Sequence, residues 1–311
     1  MGQLLYYLVL LPLSKLPLNV LYGLSNLAYF LGYKVFGYRV EVVRENMRGS
    51  FPEWDEATLE KQVKAFYHYF TDSIVESVKL FSMSVEEATR RNHLTNPEIL
   101  YPYAAQNKSV IITGAHYANW EISALSFPGQ FPQQTVMGIY SPLGNKRVDE
   151  LIKTNRQRAG LYLLSRRKVL WYYANNPVRP SIDFFIADQS PSNHNHRKVH
   201  WTPFLNRPTG FVAGPERYAT RADLPVYYCT LRMVKRGYYE ATLSLITESP
   251  REEAPGFITE AFARRLEQEI LRDPTPWLWT HRRWKRGAPE EVIAGLRSEP
   301  YLPAGYDPGG G

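Results

Sequence analysis

The first 33 residues carry one charge, Lys15, inside an otherwise apolar or weakly polar run, LLYYLVLLPLSKLPLNVLYGLSNLAYFLGY, from Leu4 to Tyr33. A run of that length exceeds the roughly 20 residues that a bilayer-crossing helix needs. Pro12 and Pro17 interrupt it on either side of Lys15, because proline removes a backbone donor and clashes with the preceding turn. Residues 1–36 therefore read as a hydrophobic membrane anchor that spans the bilayer or lies in it; a buried core helix is the plainer alternative. A secretory signal fits poorly, since no basic region opens the chain and no small-residue cleavage site stands out. Lys34, Arg39, Arg44 and Arg48 follow. Positive charge collects on the cytoplasmic side of membrane segments, which puts the body of the chain in the cytoplasm.

The net charge of +7 suits an anionic partner: a membrane surface, a nucleic acid or a phosphorylated substrate. The 22 Tyr and 7 Trp fit a membrane interface, where rings with a polar tip are favoured, and also fit base stacking. Nucleic acid is the weaker partner, because no recognisable motif accompanies the basic residues and the apolar N-terminus has no role there. Cys229 is the single cysteine, so no internal disulfide forms. It reads as a core residue within an apolar strand.

Behind the N-terminal run, Asp55 to Phe81 reads as a long helix, with Val63, Phe66, Tyr67 and Phe70 at helical spacing. Strands are expected at SVIIT (Ser109 to Thr113), TVMGI (Thr135 to Ile139), LYLL and SIDFFIAD (Ser181 to Asp188). Two more, LPVYYCTLRMV and YYEATLSLI, flank a KRG turn. Helices are expected at NKRVDELIKTNRQRAG, RKVLWYYAN, PTGFVAGPERYATRA (with a loose start) and TEAFARRLEQEILRD. Alternation of this kind predicts an α/β fold. It is expected to be a single domain, residues 37–300, with a central mixed sheet flanked by helices, preceded by the membrane-anchoring helical segment. Residues 301–311 read as a loose tail, whose last glycines resemble an expression scar.

The segment GAHYANWE (Gly114 to Glu121) puts His116 and Glu121 directly after an expected strand, where α/β sheets build their sites. A five-residue offset sets two side chains about 140° apart on a helix, so the two do not share a helical face. They can meet if His116 lies in the turn and Glu121 on the first turn of the next helix, with Asn119 as its N-cap. The carboxylate then holds one imidazole nitrogen and leaves the other as a base. A histidine bonded within the turn and a solvated glutamate are the alternative.

The His-x-x-x-x-Glu stretch resembles the acyl-transfer motif of membrane acyltransferases. The wider frame resembles the late lipid A biosynthesis acyltransferases, the lauroyl/myristoyl transferase family. The resemblance continues in order through YSPLGNKRVDELIKTNRQRAG, FFIADQS, VHWTPFLNRPTGFVAGPERYATRADLPVY and WLWTHRRWK, and covers roughly residues 4 to 286. It implies an enzyme of the cell inner membrane, facing the cytoplasm, that moves a fatty acyl chain from acyl carrier protein to a hydroxyl of a lipid A precursor. No cofactor or metal is implied. His116 is then the general base and Glu121 its partner, and no enzyme nucleophile is needed. The absence of a G-x-S-x-G stretch counts against a serine hydrolase.

Arg156, eleven residues after Asn145, is implied as a basic site residue for a phosphate, with Arg158 as the fallback. An exposed ladder of Asp149, Lys153 and Arg156 on one helix face is the alternative. Asp188, at a strand end, is either an orienting or binding carboxylate or a cap. Asn119 completes the set of candidate substrate-binding residues. HNHRKVH (His194 to His200) holds three histidines that could ligate zinc, but no Asp, Glu or Cys stands beside them. THRRWKR combines cations and tryptophan and suits phosphate or headgroup contact. The chain departs from the family turn at DQSPSNHN, which bears on the acceptor. An acyltransferase for another lipid (a lysophospholipid, an aminolipid or a glycolipid) and a non-catalytic lipid-binding protein are the rival functions.

Overall fold

Strands with almost no polar residues must be covered on both faces, and the apolar strands of this chain lie at the centre of a seven-stranded mixed sheet. The structure, a computed structural model, describes residues 6–175, 180–191, 199–285 and 287–296. The expected tail and His194 to Lys198 lie outside the described residues. The strands are β1 (Asn92–Leu94), β2 (Val110–Gly114), β3 (Thr135–Tyr140), β4 (Tyr162–Ser165), β5 (Ser181–Ile186), β8 (Val226–Lys235) and β9 (Tyr238–Thr247), in the order β1-β9-β8-β2-β5-β3-β4. Neighbours are parallel except in the β8–β9 hairpin.

The period of two along each strand divides the core in half. Val110, Ile112, Val136 and Ile182 face one side, with Phe66 and Tyr67 of the long helix, Leu125 and Phe127. Ile111, Met137, Leu164, Phe185 and Val226 face the other, with Val169, Tyr172 and Ala219. The result is the expected α/β single domain, a mixed sheet with helices on both faces.

Among the helices, α1 (Leu11–Lys15) and α2 (Leu18–Tyr29) come from the N-terminal run. Then follow α3 (Val40–Ser50), α4 (Glu56–Lys79) and α5 (Val85–Arg91). Asp55 starts α4 by accepting the Thr58 N–H at 2.8 Å, a standard N-cap bond. Next come α6 (Tyr101–Ala105), α7 (Ser123–Ser126), α8 (Lys146–Gln157) and α9 (Val169–Asn175), then α10 (Gly214–Ala222) and α11 (Phe257–Arg272).

One expectation changes here. PTGFVAGPERYATRA is not one helix: Arg207–Val212 is strand β7, paired antiparallel with β6 (Val199–Phe204), and the helix occupies only Gly214–Ala222. Leu205 and Asn206 join the strands with φ of 50° and 61°, the left-handed pair that a tight two-residue hairpin needs. The N-terminal run is broken beside Lys15, where Pro17 was expected to interrupt it. Among the described residues no single helix is long and apolar enough to cross a membrane; the arms Tyr6–Lys15 and Leu18–Val35 meet at a bend of 118°. The run is also tied to the body. Lys79 of α4 donates to the carbonyls of Ser14 and Leu16 at 2.9 and 3.0 Å, and Ser25 bonds Thr71 at 3.0 Å. Its outer side keeps Leu8, Leu27, Phe30 and Phe36 in the open.

Candidate active site

Strands β2 and β5 are parallel neighbours, with Gly114 opposite Ile186. Two residues beyond that pair, the chain presents His116 on one side and Asp188 on the other, level with each other past the C-terminal ends of the strands. Nδ1 of His116 lies 2.7 Å from Oδ1 of Asp188. The other carboxylate oxygen accepts the indole N–H of Trp277 at 3.0 Å. An ionised carboxylate only accepts, so the proton sits on Nδ1 and the lone pair is left on Nε2. Nε2 lies 3.2 Å from the Gln189 amide nitrogen, at the wall of a cavity.

The backbone after His116 turns sharply. Ala118, fully buried, has φ of 51°, a left-handed conformation that non-glycine residues adopt only when held there. Its N–H donates to Pro276 O at 3.1 Å, while Tyr117 forms a β-bridge to Trp277. Asn119 points inward, 2 % exposed, and donates to Glu76 Oε2 at 2.8 Å. Trp120 returns to the pocket side and sets its ring edge-on to His116, with centroids 4.7 Å apart.

Glu121 does not bond the imidazole. It takes Arg156 of α8 in a two-pronged ion pair, with Nε donating to Oε2 at 3.0 Å and a terminal N–H donating to Oε1. The expected His116–Glu121 bond is therefore replaced by His116–Asp188 and Glu121–Arg156, because the short turn aims Glu121 across the pocket wall at α8. The alternative, a surface ladder, does not form either. Asp149 accepts the Leu143 N–H at 2.8 Å, Lys153 pairs with Glu150, and Asp149, Lys153 and Arg156 all line the cavity.

Two other candidates are moved away from substrate. Asn119 makes no side-chain cap bond, and its amide is spent inside the protein on Glu76. Arg158 donates to the backbone carbonyls of Leu80 and Met83, tying α8 to the end of α4. The segment WLWTHRRWK is largely internal rather than a headgroup surface. Trp279 is fully buried and Arg283, 3 % exposed, donates to Gly210 O at 2.7 Å. Sequence reasoning missed Trp277 as the lock on Asp188; nothing local marks it, since the contact spans 89 positions. Of the histidines in HNHRKVH, His200 lies 2.7 Å from Glu260 Oε2. Cys229 is partly buried in β8, and burial pushes its thiol well above the ordinary range.

The cavity measures about 450 Å³. Tyr140, Ser141, Leu143 and Lys153 lie around one end with His116 and Arg156; Val136, Gly138, Leu161, Leu163, Phe127 and Phe184 line the rest. From Tyr140 back to Val136 is four residues of strand, roughly 13 Å at about 3.3 Å each. A polar end that holds both cations and carboxylates thus leads into an apolar slot. A second apolar groove of about 450 Å³, between Tyr6, Leu10, Ile74, Phe81 and Leu151, shares Trp120, Glu121 and Arg156 with the first.

Burial pulls the imidazole of His116 toward its neutral form. The charge and hydrogen bond of Asp188 act more strongly in the other direction, with help from Glu121 and against Arg156, so its pKa lies above the ordinary histidine value. Burial likewise raises Asp188, but the charge and hydrogen bond of His116 and the Trp277 donor more than offset it, leaving a carboxylate below the usual range. The pair can accept a proton at Nε2 and keep the resulting imidazolium beside a fixed negative charge.

Residues 1–286 match the bacterial lipid A biosynthesis acyltransferase family. The lipid A biosynthesis lauroyltransferase of Escherichia coli (strain K12) is 22% identical over 290 residues, covering 89% of each chain. The lipid A biosynthesis palmitoleoyltransferase of the same organism is 20% identical over 277 residues, 87% of each chain. A lipid A biosynthesis acyltransferase of Haemophilus influenzae is 20% identical over 270 residues, 85% of this chain and 83% of the relative.

Proposed function

The chain belongs to the bacterial lipid A biosynthesis acyltransferase family, and on that premise we propose that it moves a fatty acyl chain from the thioester of acyl carrier protein to a hydroxyl of a lipid A precursor. The observation that carries the proposal is the His116–Asp188 pair, with Nε2 turned to the polar end of an apolar cavity. Nε2 takes the proton of the acceptor hydroxyl as its oxygen attacks the thioester carbonyl. The tetrahedral intermediate collapses with loss of the thiolate, which receives the proton from the imidazolium. Asp188 orients the ring and stabilises its charged form. Arg156, held rigid by Glu121, offers N–H donors to a phosphate or to the developing oxyanion. The slot over Gly138 takes the acyl chain of the donor.

Residues 1–36 act as the membrane-anchoring segment and residues 37–300 as the acyltransferase domain, at the inner membrane with the site on the cytoplasmic side. The bent, outwardly apolar arms suit a segment lying in one leaflet. The second groove opens beside those arms, which supports an acceptor that is itself a membrane lipid. Acyl carrier protein is small and acidic, and a chain of net charge +7 complements it.

The test is purified full-length protein in detergent, given acylated carrier protein and lipid A precursor. His116→Ala should lose about 10²–10⁴-fold in turnover with its melting temperature unchanged. Near wild-type turnover in the folded variant would refute the base assignment. Mass spectrometry of lipids from cells lacking the gene identifies the acceptor: loss of one acyl chain from a phospholipid instead of lipid A would reassign the substrate.

A further inference from the structure

A buried carboxylate that takes no part in the proton transfer above sits at the crossing of three elements. Glu76, in the last turn of α4, is 4 % exposed, and among the described residues no Lys, Arg or His forms an ion pair with it. Instead it accepts three neutral hydrogen bonds. Tyr22 of α2 donates to Oε1 at 2.9 Å; Asn119 and Tyr239 of β9 donate to Oε2 at 2.8 and 2.6 Å. A carboxylate held this way binds its donors more strongly than a neutral acceptor does, and losing it leaves buried donors unpaired.

One of those donors stands three residues from His116 and two from Glu121. The left-handed backbone at Ala118 sends Tyr117 and Asn119 into the interior and His116 and Trp120 to the pocket side. That conformation is strained for alanine and persists only where its surroundings impose it. The Ala118 N–H on Pro276 O restrains one side of the turn, and the Asn119 amide on Glu76 restrains the other. Without the second restraint the turn can relax. Trp120 then leaves the edge of the His116 ring, and Glu121 loses its aim at Arg156.

We propose that Glu76 is a positioning residue of the active site, fixing the His116–Glu121 turn through Asn119 and tying that turn to the N-terminal helix through Tyr22. The effect on catalysis rests on the acyl-transfer function proposed above; the ordering of the turn does not. Two substitutions on the same carboxylate oxygen separate positioning from general stability. Asn119→Ala cuts the arm to the turn, and Tyr239→Phe cuts the arm to the sheet. Both are made in the full-length protein in detergent and read by amide exchange over residues 116–122, by melting temperature and by kinetics.

Asn119→Ala should speed exchange in that segment about tenfold or more, the worth of one hydrogen bond to a charged acceptor. Its kcat should fall by about ten- to a hundredfold, as expected when reacting groups are misplaced by a fraction of an ångström, with the acyl-donor KM unchanged. Tyr239→Phe should lower the melting temperature and leave both kcat and exchange in the turn at wild-type values. Glu76→Gln, which keeps a carbonyl acceptor for both donors, should recover most of the kcat that Glu76→Leu loses. If Asn119→Ala does not fold, Asn119→Ser replaces it, since serine is polar but too short to reach Glu76. Exchange over 116–122 that stays at the wild-type rate in the Asn119 variant overturns the proposal whatever the activity. So does an equal loss of kcat in Tyr239→Phe, the mark of a merely stabilising network. A wild-type protein with no acyl transfer but with the predicted exchange pattern counts against the function alone.

Discussion

At His116, burial and the partner carboxylates act on one imidazole in opposite senses, and the pH dependence of the reaction reports their sum. A general base works in its neutral form, so kcat/KM should climb as pH rises through a midpoint above the ordinary histidine value of 6.5. Asp188→Asn removes the largest influence that raises this pKa and leaves burial and Arg156 in place. The midpoint should therefore move to lower pH, while the rate on the high-pH plateau falls because the ring is no longer held. Arg156→Ala should shift it the other way, since a lowering cation is removed and Glu121 remains. These shifts are measured from pH profiles of the three proteins; a midpoint that stays put in Asp188→Asn sinks the dyad. The stability sign is separate. A pKa raised on folding contributes stability that is complete below the unfolded value near 6.5 and is lost as pH rises through the folded value. The histidine itself was legible from its place behind an apolar strand. Asp188 was legible as an orienting or binding carboxylate at a strand end, but its bond to His116 was not, because a contact spanning 72 positions depends on the register of β2 against β5, which no local pattern encodes. Glu121 was visible as a site residue but was given the wrong contact, since the short 3-10 turn at Trp120–Ile122 decides where it points.

Among the elements, β3 has the most direct consequence for specificity. Val136, Gly138 and Tyr140 alternate onto the cavity side, and Gly138 is where the strand makes room. A Cβ built there would come within 3.3 Å of Leu163 and 3.6 Å of Leu161, so a larger side chain must occupy the slot itself. Gly138→Val should keep the fold, because valine suits a strand, and should move the preferred acyl donor to a shorter chain. Each methylene excluded from an apolar site forfeits about 0.8 kcal/mol, so a chain two methylenes too long should lose on the order of tenfold in kcat/KM. Competition between acylated carrier proteins of different chain length measures this, and an unchanged preference would place the acyl chain elsewhere. The strands that build this slot were readable as apolar runs with a period of two. The β6–β7 hairpin was not, because Pro203, Pro208 and Gly210 disguise the alternation and its turn is marked only by Asn206.

Across the whole molecule, the N-terminal run is both part of the fold and the most apolar part of the exterior. Composition alone made it an anchor; the break at Leu16–Pro17 and the contacts of Tyr22, Ser25 and Ser14 with α4 make it a bent pair of arms docked on the domain. Leu27 and Phe30 are each more than half exposed, as are Leu8 and Phe36, uncovered by any of the described residues. If these side chains enter a leaflet, their burial supplies about 1.5–3 kcal/mol each. Leu27→Glu combined with Phe30→Glu should then weaken binding to lipid vesicles by on the order of a hundredfold or more, with the melting temperature nearly unchanged because both positions point away from α4. Salt separates this from simple attraction of a +7 chain to anionic lipid. At about 1 M the Debye length is near 3 Å, so electrostatic binding is released while apolar insertion persists. Deleting residues 6–35 should not free a well-behaved domain, because it strips α4 of its cover and leaves Glu76 without one of its donors; aggregation or a large fall in melting temperature is expected. Full-length protein that stays soluble without detergent and ignores vesicles would show that the arms serve another surface, and the site beside them would then need a different route for a lipid acceptor.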